Sequence, residues 1–264
     1  MTPTYWHKQT PDNPLFPDLI WSRPENRTAA GKLLIVGGNL HSFAAAAEAY
    51  QAAVKAGVGT VRVLLPDALR KTVGRILEVG EYAPSNPSGS FSQKALSEWL
   101  EQAAWADGVL VAGDLGRNSE TAILLEKFLD KYKGQVTLTK DAIDYITSNV
   151  NQVANRPKTT LVLSMSQLQR LLQAQKFAKA ITLSLSLVQL VDILHDYSTL
   201  HSTNVIVKYN DTMLVASNGQ VSTTSVNDQP EVWRGKTAAT AAVWWLQNPT
   251  KTFQALATSL VSHT

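Results

Sequence analysis

Short apolar runs rich in β-branched residues alternate with longer segments of helical period along the chain from Lys32 onward. KLLIVGG has the continuous apolar pattern of a buried strand, Phe43 to Lys55 that of an alanine-rich helix, and TVRVLLP that of the next strand. Gly57 stands where it can cap the C-terminus of that helix. Because this alternation is typical of βαβ units, the sequence predicts an α/β fold with a mostly parallel sheet and helices on both faces.

The middle of the chain repeats the alternation. We expect Asp67 to N-cap a helix in ALRKTVGRIL, and Asn118 or Ser119 to N-cap another in ETAILLEKFLDKY. Further helices are expected near residues 92–106, in DAIDYI and in SMSQLQRLLQAQ. The predicted strands between these helices are GEYAP, GVLVAG, QVTLT and TTLVLS.

The C-terminal part has a different pattern. NVIVKYNDTMLVASNGQVSTTSV contains three β-rich runs separated by Asn-Asp and Asn-Gly turns, which predicts antiparallel strands. Two helices are expected after them, and one of the adjacent Trp244 and Trp245 is expected in the core because neighbours on a helix point about 100° apart. No linker divides the chain, so we expect one domain over residues 1–264, with residues 1–30 packed on it as an extended segment.

Composition narrows the classes of protein. Hydrophobic residues make up 44% and charged residues 17%, against a usual charged fraction of about 25%, which favours a well-packed globular chain. The net charge of +3 is scattered without a basic run, so we expect no nucleic-acid partner. There is no cysteine, and the five histidines lack metal-ligand spacing, so no metal site is expected. Neither a signal peptide nor a long apolar segment is present, which predicts no membrane contact and a cytoplasmic location.

Candidate chemistry lies in the loops that follow predicted strands, because ligands of open α/β sheets bind beyond the carboxyl ends of the strands. These loops are GGNLHSF, AGDLGRN, TKDAID, LSMSQ and the segment entering GKTAAT. GGNLHSF opens a helix whose free N–H groups favour an anion, although Gly37 and Gly38 could equally serve only the tight turn.

The segment EVWRGKTAAT is the second candidate anion site. Arg234 and Lys236 flank Gly235 before a helix of small residues, which fits either anion binding or a solvated helix start. It is not a Walker A loop, because the earlier glycine of that motif is missing. Asp141 and Asp144 stand at a helix start, where N-capping and the helix dipole explain them at least as well as catalysis.

The order of these segments resembles the dehydratase domain of the NAD(P)H-hydrate repair enzymes, a branch of the ribokinase-like superfamily. The similarity runs through WSRPENRTAAGKLLIVGGN, KAGVGTVRVLLP, VLVAGDLGRN, VTLTKDAIDYI, VIVKYNDTMLVASNG and RGKTAATAAVWWL, and covers the chain from about Ile20. Its most specific part is the first unit, where KAGVG is similar to the family's AGAG-type turn.

The resemblance also shows where this chain departs from the family. Ala112 to Gly116 resembles the GPGLG loop with its first and third glycines lost, and Thr139 to Ile143 resembles DADAL with only the second acid, Asp141, kept. Lys236 takes the place of the catalytic acid after Gly235. The segment near residues 162–167 has neither the proline nor the glutamate of the family's T-P-x-x-G-E motif.

The resemblance implies site roles for eleven residues. The catalytic positions are Lys236 and Asp141. The nucleotide- or phosphate-binding positions are Lys208, Arg234, Gly235 and Thr237. The substrate-binding positions are Gly38, Asn39, His41, Asp114 and Gly116.

By resemblance, the reaction is the dehydration of hydrated NADH or NADPH with ATP or ADP, with Mg²⁺ on the nucleotide, in a homo-oligomer. A lysine accepts a proton only in its neutral form, which requires a strongly depressed pKa, so Lys236 argues against turnover. Three interpretations stay open. The chain is a dehydratase with a relocated base, a catalytically degenerate relative that binds a nucleotide or dinucleotide as a sensor, scaffold or partner subunit, or a divergent small-molecule kinase.

Overall fold

A computed structural model describes residues 3–74, 77–147, 150–182, 184–226 and 233–261, with residues 151 and 152 described by their backbone alone. In these residues ten strands form one sheet in the order β1-β10-β9-β8-β7-β6-β5-β2-β3-β4. The strands are β1 Trp6–Gln9, β2 Lys32–Gly37, β3 Thr60–Pro66, β4 Gly80–Ala83, β5 Gly108–Gly113, β6 Gln135–Thr139, β7 Thr159–Leu163, β8 Asn204–Tyr209, β9 Thr212–Ser217 and β10 Gln220–Ser225.

Strands β2 to β8 are parallel, and β9 runs antiparallel to both β8 and β10. This mixed sheet confirms the predicted α/β class. The chain builds β2, β3 and β4 outward in one direction and then returns to place β5 on the other side of β2. The carboxyl ends of β2 and β5 therefore form a topological switch point, the place where open α/β sheets bind ligands.

Helices cover both faces of the sheet. They are α1 Pro17–Trp21, α2 Ala44–Lys55, α3 Arg70–Val73, α4 Leu96–Trp105, α5 Ser119–Lys131, α6 Asp141–Ile146, α7 Val150–Ala154, α8 Met165–Ala174, α9 Leu187–Leu200, α10 Trp233–Gln247 and α11 Thr252–Ser259. Successive residues of β2 point into two separate apolar clusters, Leu34 and Val36 into one and Leu33 and Ile35 into the other. Both faces of the strand are therefore buried, which explains its unbroken apolar sequence.

Helices α2 and α10 pack against each other and on the same face of the sheet. Their contact surfaces are mostly alanine, which lets the two helix backbones approach closely. Both Trp244 and Trp245 are buried, so the expectation of one core tryptophan was too low. Trp245 packs in the cluster over the sheet, whereas Trp244 packs with Leu19 because the N-terminal segment covers the outer side of α10.

The N-terminal segment contains a strand and a helix, whereas the sequence predicted only an extended segment. Strand β1 extends the sheet by pairing parallel to β10, with Trp6 opposite Val221, and α1 follows it. The Asn-Gly turn between β9 and β10 has the expected positive φ at Asn218 and Gly219.

Two local predictions differ from the structure. Asp67 does not N-cap a helix, because it lies inside a 3₁₀ turn and its carboxylate accepts a hydrogen bond from the N–H of Ser85 at 3.0 Å. The helix that follows it, α3, ends at Val73 and is much shorter than predicted, although Arg75 and Ile76 lie outside the described residues. Helix α9 was not predicted, although Ser186 and Gln189 form a capping box at its start.

Candidate functional site

The switch point brings the loops after β2 and β5 into direct contact. The N–H of Gly38 donates to the carbonyl of Gly113 at 3.0 Å, and both residues have positive φ. A Cβ on Gly37 would lie 2.6 Å from the Gly113 carbonyl oxygen, so this crossing requires glycine. The glycines therefore serve the turn, and they also hold the two candidate loops together.

Asn39 fixes the geometry between these two loops. Its Nδ2 donates to the carbonyl of Asp114 at 2.7 Å, and its Oδ1 accepts from the N–H of His41 at 2.8 Å. The His41 side chain is exposed, and Gly116 lies next to Asn39, with a Cβ on Gly116 falling 3.7 Å from the Cβ of Asn39. The five positions predicted to bind substrate thus lie together at one edge of the sheet.

Asp114 supplies an anion to the start of α2. Its Oδ2 accepts from the Ala45 N–H at 2.8 Å and from the Ser42 hydroxyl at 2.7 Å. Ala45 is the second residue of α2, and N–H groups at this position are free to bind an anion. The chain's own carboxylate therefore occupies the anion position that the sequence predicted for a ligand.

Lys140 and Glu48 lie beside Gly235 and were not predicted as site residues. Lys140 Nζ is 3.7 Å from Oε2 of Glu48, and the lysine side chain is only 17% exposed. A Cβ on Gly235 would lie 3.5 Å from Cε of Lys140 and 3.6 Å from Oε2 of Glu48. A carboxylate therefore reaches the neighbourhood of Gly235 from α2, and a lysine neutralises it.

Two sequence signals pointed to this pair. Glu48 is the only acid in the alanine-rich segment 43–55, and Lys140 replaces the small residue between the two acids of the family's DADAL segment. Neither signal shows that the two side chains meet, since they lie on different elements far apart in sequence.

Asp141 points into the same region but makes a different contact. Its Oδ2 accepts from the Leu115 N–H at 2.8 Å, and a Cβ on Gly113 would lie 2.9 Å from its Oδ1. Burial raises the pKa of Asp141, the Leu115 N–H opposes this rise, and the charge of Asp114 adds to it. Asp141 is the first residue of α6, not its N-cap, so its contact is with the loop after β5.

Gln167 connects Arg234 to the Lys140 backbone. Arg234 Nη1 donates to Gln167 Oε1 at 2.8 Å, and Gln167 Nε2 donates to the Lys140 carbonyl at 2.7 Å. The same Nε2 donates to Asp144 Oδ1 at 3.1 Å, and Asp144 also accepts from Arg170 at 2.7 Å. Gln167 is another site residue that the sequence did not reveal, although its place in a capping box after β7 was visible as S-x-x-Q.

Three predicted positions remain, Lys208, Thr237 and Lys236, and they lie in different places. Lys208 is half-buried near the carboxyl end of β8, and Thr237 is buried in α10. Lys236 is exposed and lines a groove of about 250 Å³ between α2 and α10, which Trp244 also lines. The position resembling the family's catalytic acid thus borders this side groove.

No group of three or more His, Asp or Glu side chains in the described ranges could hold a metal ion. None of the helices in these ranges combines the length and apolarity needed to cross a membrane.

Comparison with solved structures supports the fold. A ribokinase-like superfamily protein from Enterococcus faecalis aligns with a TM-score of 0.74 at 15% identity, covering 99% of this chain and 88% of that one. An ADP/ATP-dependent NAD(P)H-hydrate dehydratase from Bacillus subtilis, co-crystallised with ATP and Mg²⁺, aligns with a TM-score of 0.59 at 14% identity, covering 94% and 86%. At these identities the likeness establishes the ribokinase-like fold.

Comparison of sequences supports the family. Bifunctional NAD(P)H-hydrate repair enzymes Nnr from Moorella thermoacetica and Methanocaldococcus jannaschii are 27% and 32% identical over 121 and 123 residues. The matched stretch covers 45% of this chain and 23% of each repair enzyme, so it spans less than a quarter of those relatives. The model of the NAD(P)H-hydrate dehydratase family matches residues 33–235, which is most of the chain, and the chain therefore belongs to that family.

Proposed function

We propose that this protein binds a nucleotide or dinucleotide at the switch point between β2 and β5 and has little or no NAD(P)H-hydrate dehydratase activity. The proposal rests on the identity and position of the residue after Gly235. Lys236, which stands where the family resemblance requires an acid, is exposed and lines the side groove. An ammonium group has three N–H donors and no lone pair with which to take the proton of the substrate hydroxyl.

Nearby carboxylates have other contacts in this structure. Asp114 accepts two hydrogen bonds at the start of α2, and Glu48 pairs with Lys140. Asp141 accepts from the Leu115 N–H. A general base must reach the proton it removes, and each of these three acids is already engaged by a group of the protein.

Nucleotide binding is proposed from the charge of the site and from the relatives. Lys140, Arg234 and Lys208 lie near the carboxyl ends of the central strands, where they favour phosphate. The Bacillus subtilis relative was co-crystallised with ATP and Mg²⁺. Mg²⁺ is usually held by nucleotide phosphates with one or two carboxylates, so we expect it to bind together with the nucleotide.

A calorimetric titration with ATP, ADP, NADH and NADPH tests the binding half of the proposal. We expect at least one of these ligands to bind and to raise the melting temperature, because a ligand specific for the native state stabilises it. Lys131→Met is the matched control, because it removes one exposed lysine at the C-terminal end of α5, away from the switch point. If none of the four ligands binds at millimolar concentration, the proposal is wrong.

One observation favours a second candidate, an active dehydratase that uses Asp141 as its base. Oδ1 of Asp141 is buried without a hydrogen-bond partner in the described residues, and burial raises the pKa of the group above its ordinary value, as is common for catalytic acids and bases. In that case Asp141→Asn abolishes turnover while ATP binding persists. The cytoplasmic location, the homo-oligomer and the one-domain organisation remain predictions.

A further inference from the structure

We infer that Lys140 is the residue that receives the phosphate end of the ligand, and that Glu48 is its resident counter-ion, which the phosphate replaces on binding. This inference rests on the proposed nucleotide binding and adds to it two residues that were not among the predicted site residues. It also moves the principal cation of the site from Lys236 to Lys140.

The ammonium group of Lys140 has unused capacity for hydrogen bonding. An ammonium carries three N–H donors. In the described residues Nζ makes no hydrogen bond, and its ion pair with Glu48 is 3.7 Å long. With 17% of the side chain exposed, the cation is partly desolvated, which strengthens its attraction for an anion that can approach it.

The backbone holds Lys140 in this position. Its φ is +55°, a left-handed conformation that is unfavourable for a residue with a side chain. The carbonyl of Lys140 accepts from Gln167 Nε2, and its Cβ packs against Gly113, where an added Cβ would come within 2.8 Å. These two contacts hold the Lys140 side chain beside Gly113 at the switch point, whereas Lys236 lines the α2–α10 groove.

Glu48 has the features of a replaceable partner. Its side chain is 39% exposed, and its buried Oε2 has no hydrogen-bond partner in the described residues. A pair that is long and partly exposed is weak, because water and salt compete with it. A phosphate oxygen can accept short hydrogen bonds from Nζ and carries more charge, so exchange of Glu48 for phosphate is favourable.

The neighbouring cation supports the same assignment. Arg234 precedes Gly235, where an added Cβ would lie 3.5 Å from Lys140 Cε, and Gln167 links the Arg234 side chain to the Lys140 carbonyl. An anion at Lys140 therefore lies within the field of a second positive charge. The ligand class that fits is a di- or triphosphate, free or carried by a nucleotide.

Titration calorimetry with ATP and, separately, with inorganic pyrophosphate tests the inference. We expect Lys140→Met to weaken binding of both probes at least about ten-fold, which corresponds to about 1.4 kcal/mol. Glu48→Gln should tighten binding about three-fold or more, because the ligand no longer displaces a carboxylate. In the double variant the effect of Glu48→Gln should disappear. Lys131→Met, an equal change of charge at the C-terminal end of α5, should bind both probes within about two-fold of wild type.

Lys140→Arg controls for misfolding, because it retains the positive charge and should keep most of the affinity.

Unchanged affinity in Lys140→Met, or weaker binding in Glu48→Gln, would overturn the inference. If pyrophosphate binds through Lys140 but none of the nucleotides or dinucleotides binds, the inference stands and the proposed function fails. If the nucleotide binds with no dependence on Lys140, the proposed function stands and the inference fails. Binding of neither probe overturns both.

Discussion

The contact of the Asp114 carboxylate with the start of α2 can be tested by Asp114→Gly. This change restores a glycine that the family resemblance places at position 114. The change removes two hydrogen-bond acceptor contacts, at 2.7 and 2.8 Å, from Ser42 and Ala45. Loss of such a cap costs about 0.5–2 kcal/mol, and loss of the charge near the helix N-terminus costs about 0.3–1 kcal/mol.

The two effects of Asp114→Gly on backbone free energy nearly cancel. Asp114 has φ of +56°, so glycine relieves about 1 kcal/mol of strain, while its greater freedom in the unfolded chain costs about 0.4–1 kcal/mol. The free energy of unfolding should therefore fall by about 1–2 kcal/mol. For a chain of this size the melting temperature should drop by about 2–8 °C.

The same change should improve ligand binding, because it frees the N–H groups of α2 and removes a negative charge from the site. We expect affinity for ATP to rise about ten-fold, measured by calorimetry beside a urea unfolding curve of the same sample. Asp114→Asn is the matched control, since asparagine tolerates positive φ and keeps an oxygen for Ala45. It should lose less stability and still bind ATP more tightly than wild type. Weaker ATP binding by both variants would show that Asp114 contacts the ligand, and would refute the argument.

Two further predictions concern neighbouring residues. Asp141→Asn should raise the free energy of unfolding at pH 7, measured by urea unfolding. Burial raises the pKa of Asp141 in the folded protein above its ordinary value of 3.8. The wild type therefore loses stability as the pH rises from 3.8 through the raised pKa, and the asparagine variant does not. The gain should vanish below about pH 4, and a destabilised variant at pH 7 would contradict it. Gly113→Ala should lower the free energy of unfolding by at least about 2 kcal/mol, because φ is +106° and the new Cβ would meet Lys140 Cβ at 2.8 Å. Unchanged stability in that variant would show that the loop can move away.

The strands and crossovers were predictable because they depend on local patterns. The runs at β2, β3, β5 and β6 are apolar and bounded by turn residues, and a parallel arrangement then brings their carboxyl ends to one edge. The meeting of GGNLHSF with AGDLGRN follows from that arrangement. Helix α9 was not predicted, although the capping box formed by Ser186 and Gln189 is visible in the sequence as S-x-x-Q.

The contacts that give the site its character were not predictable from local sequence. Asp114 reaches Ala45 across 69 positions, and Lys140 meets Glu48 only after β2, β5 and β6 have paired. Sequence alone placed Asp114 in the loop but could not show that its carboxylate would take the helix N-terminus. It likewise could not show that Lys236 would line the groove between α2 and α10.

The rate at which purified wild-type protein restores reduced nicotinamide from hydrated NADH, with ATP or ADP and Mg²⁺, tests the central claim most directly. We predict no turnover above the uncatalysed rate, and none for Lys236→Asp, because the altered loop at Ala112 and Asp114 and the Glu48–Lys140 pair persist in that variant. An intact family enzyme assayed in parallel shows that the substrate is competent. Turnover by wild type at about 1 s⁻¹ or above, within the ordinary enzymatic range, would contradict the account and make Asp141 the first candidate for the base.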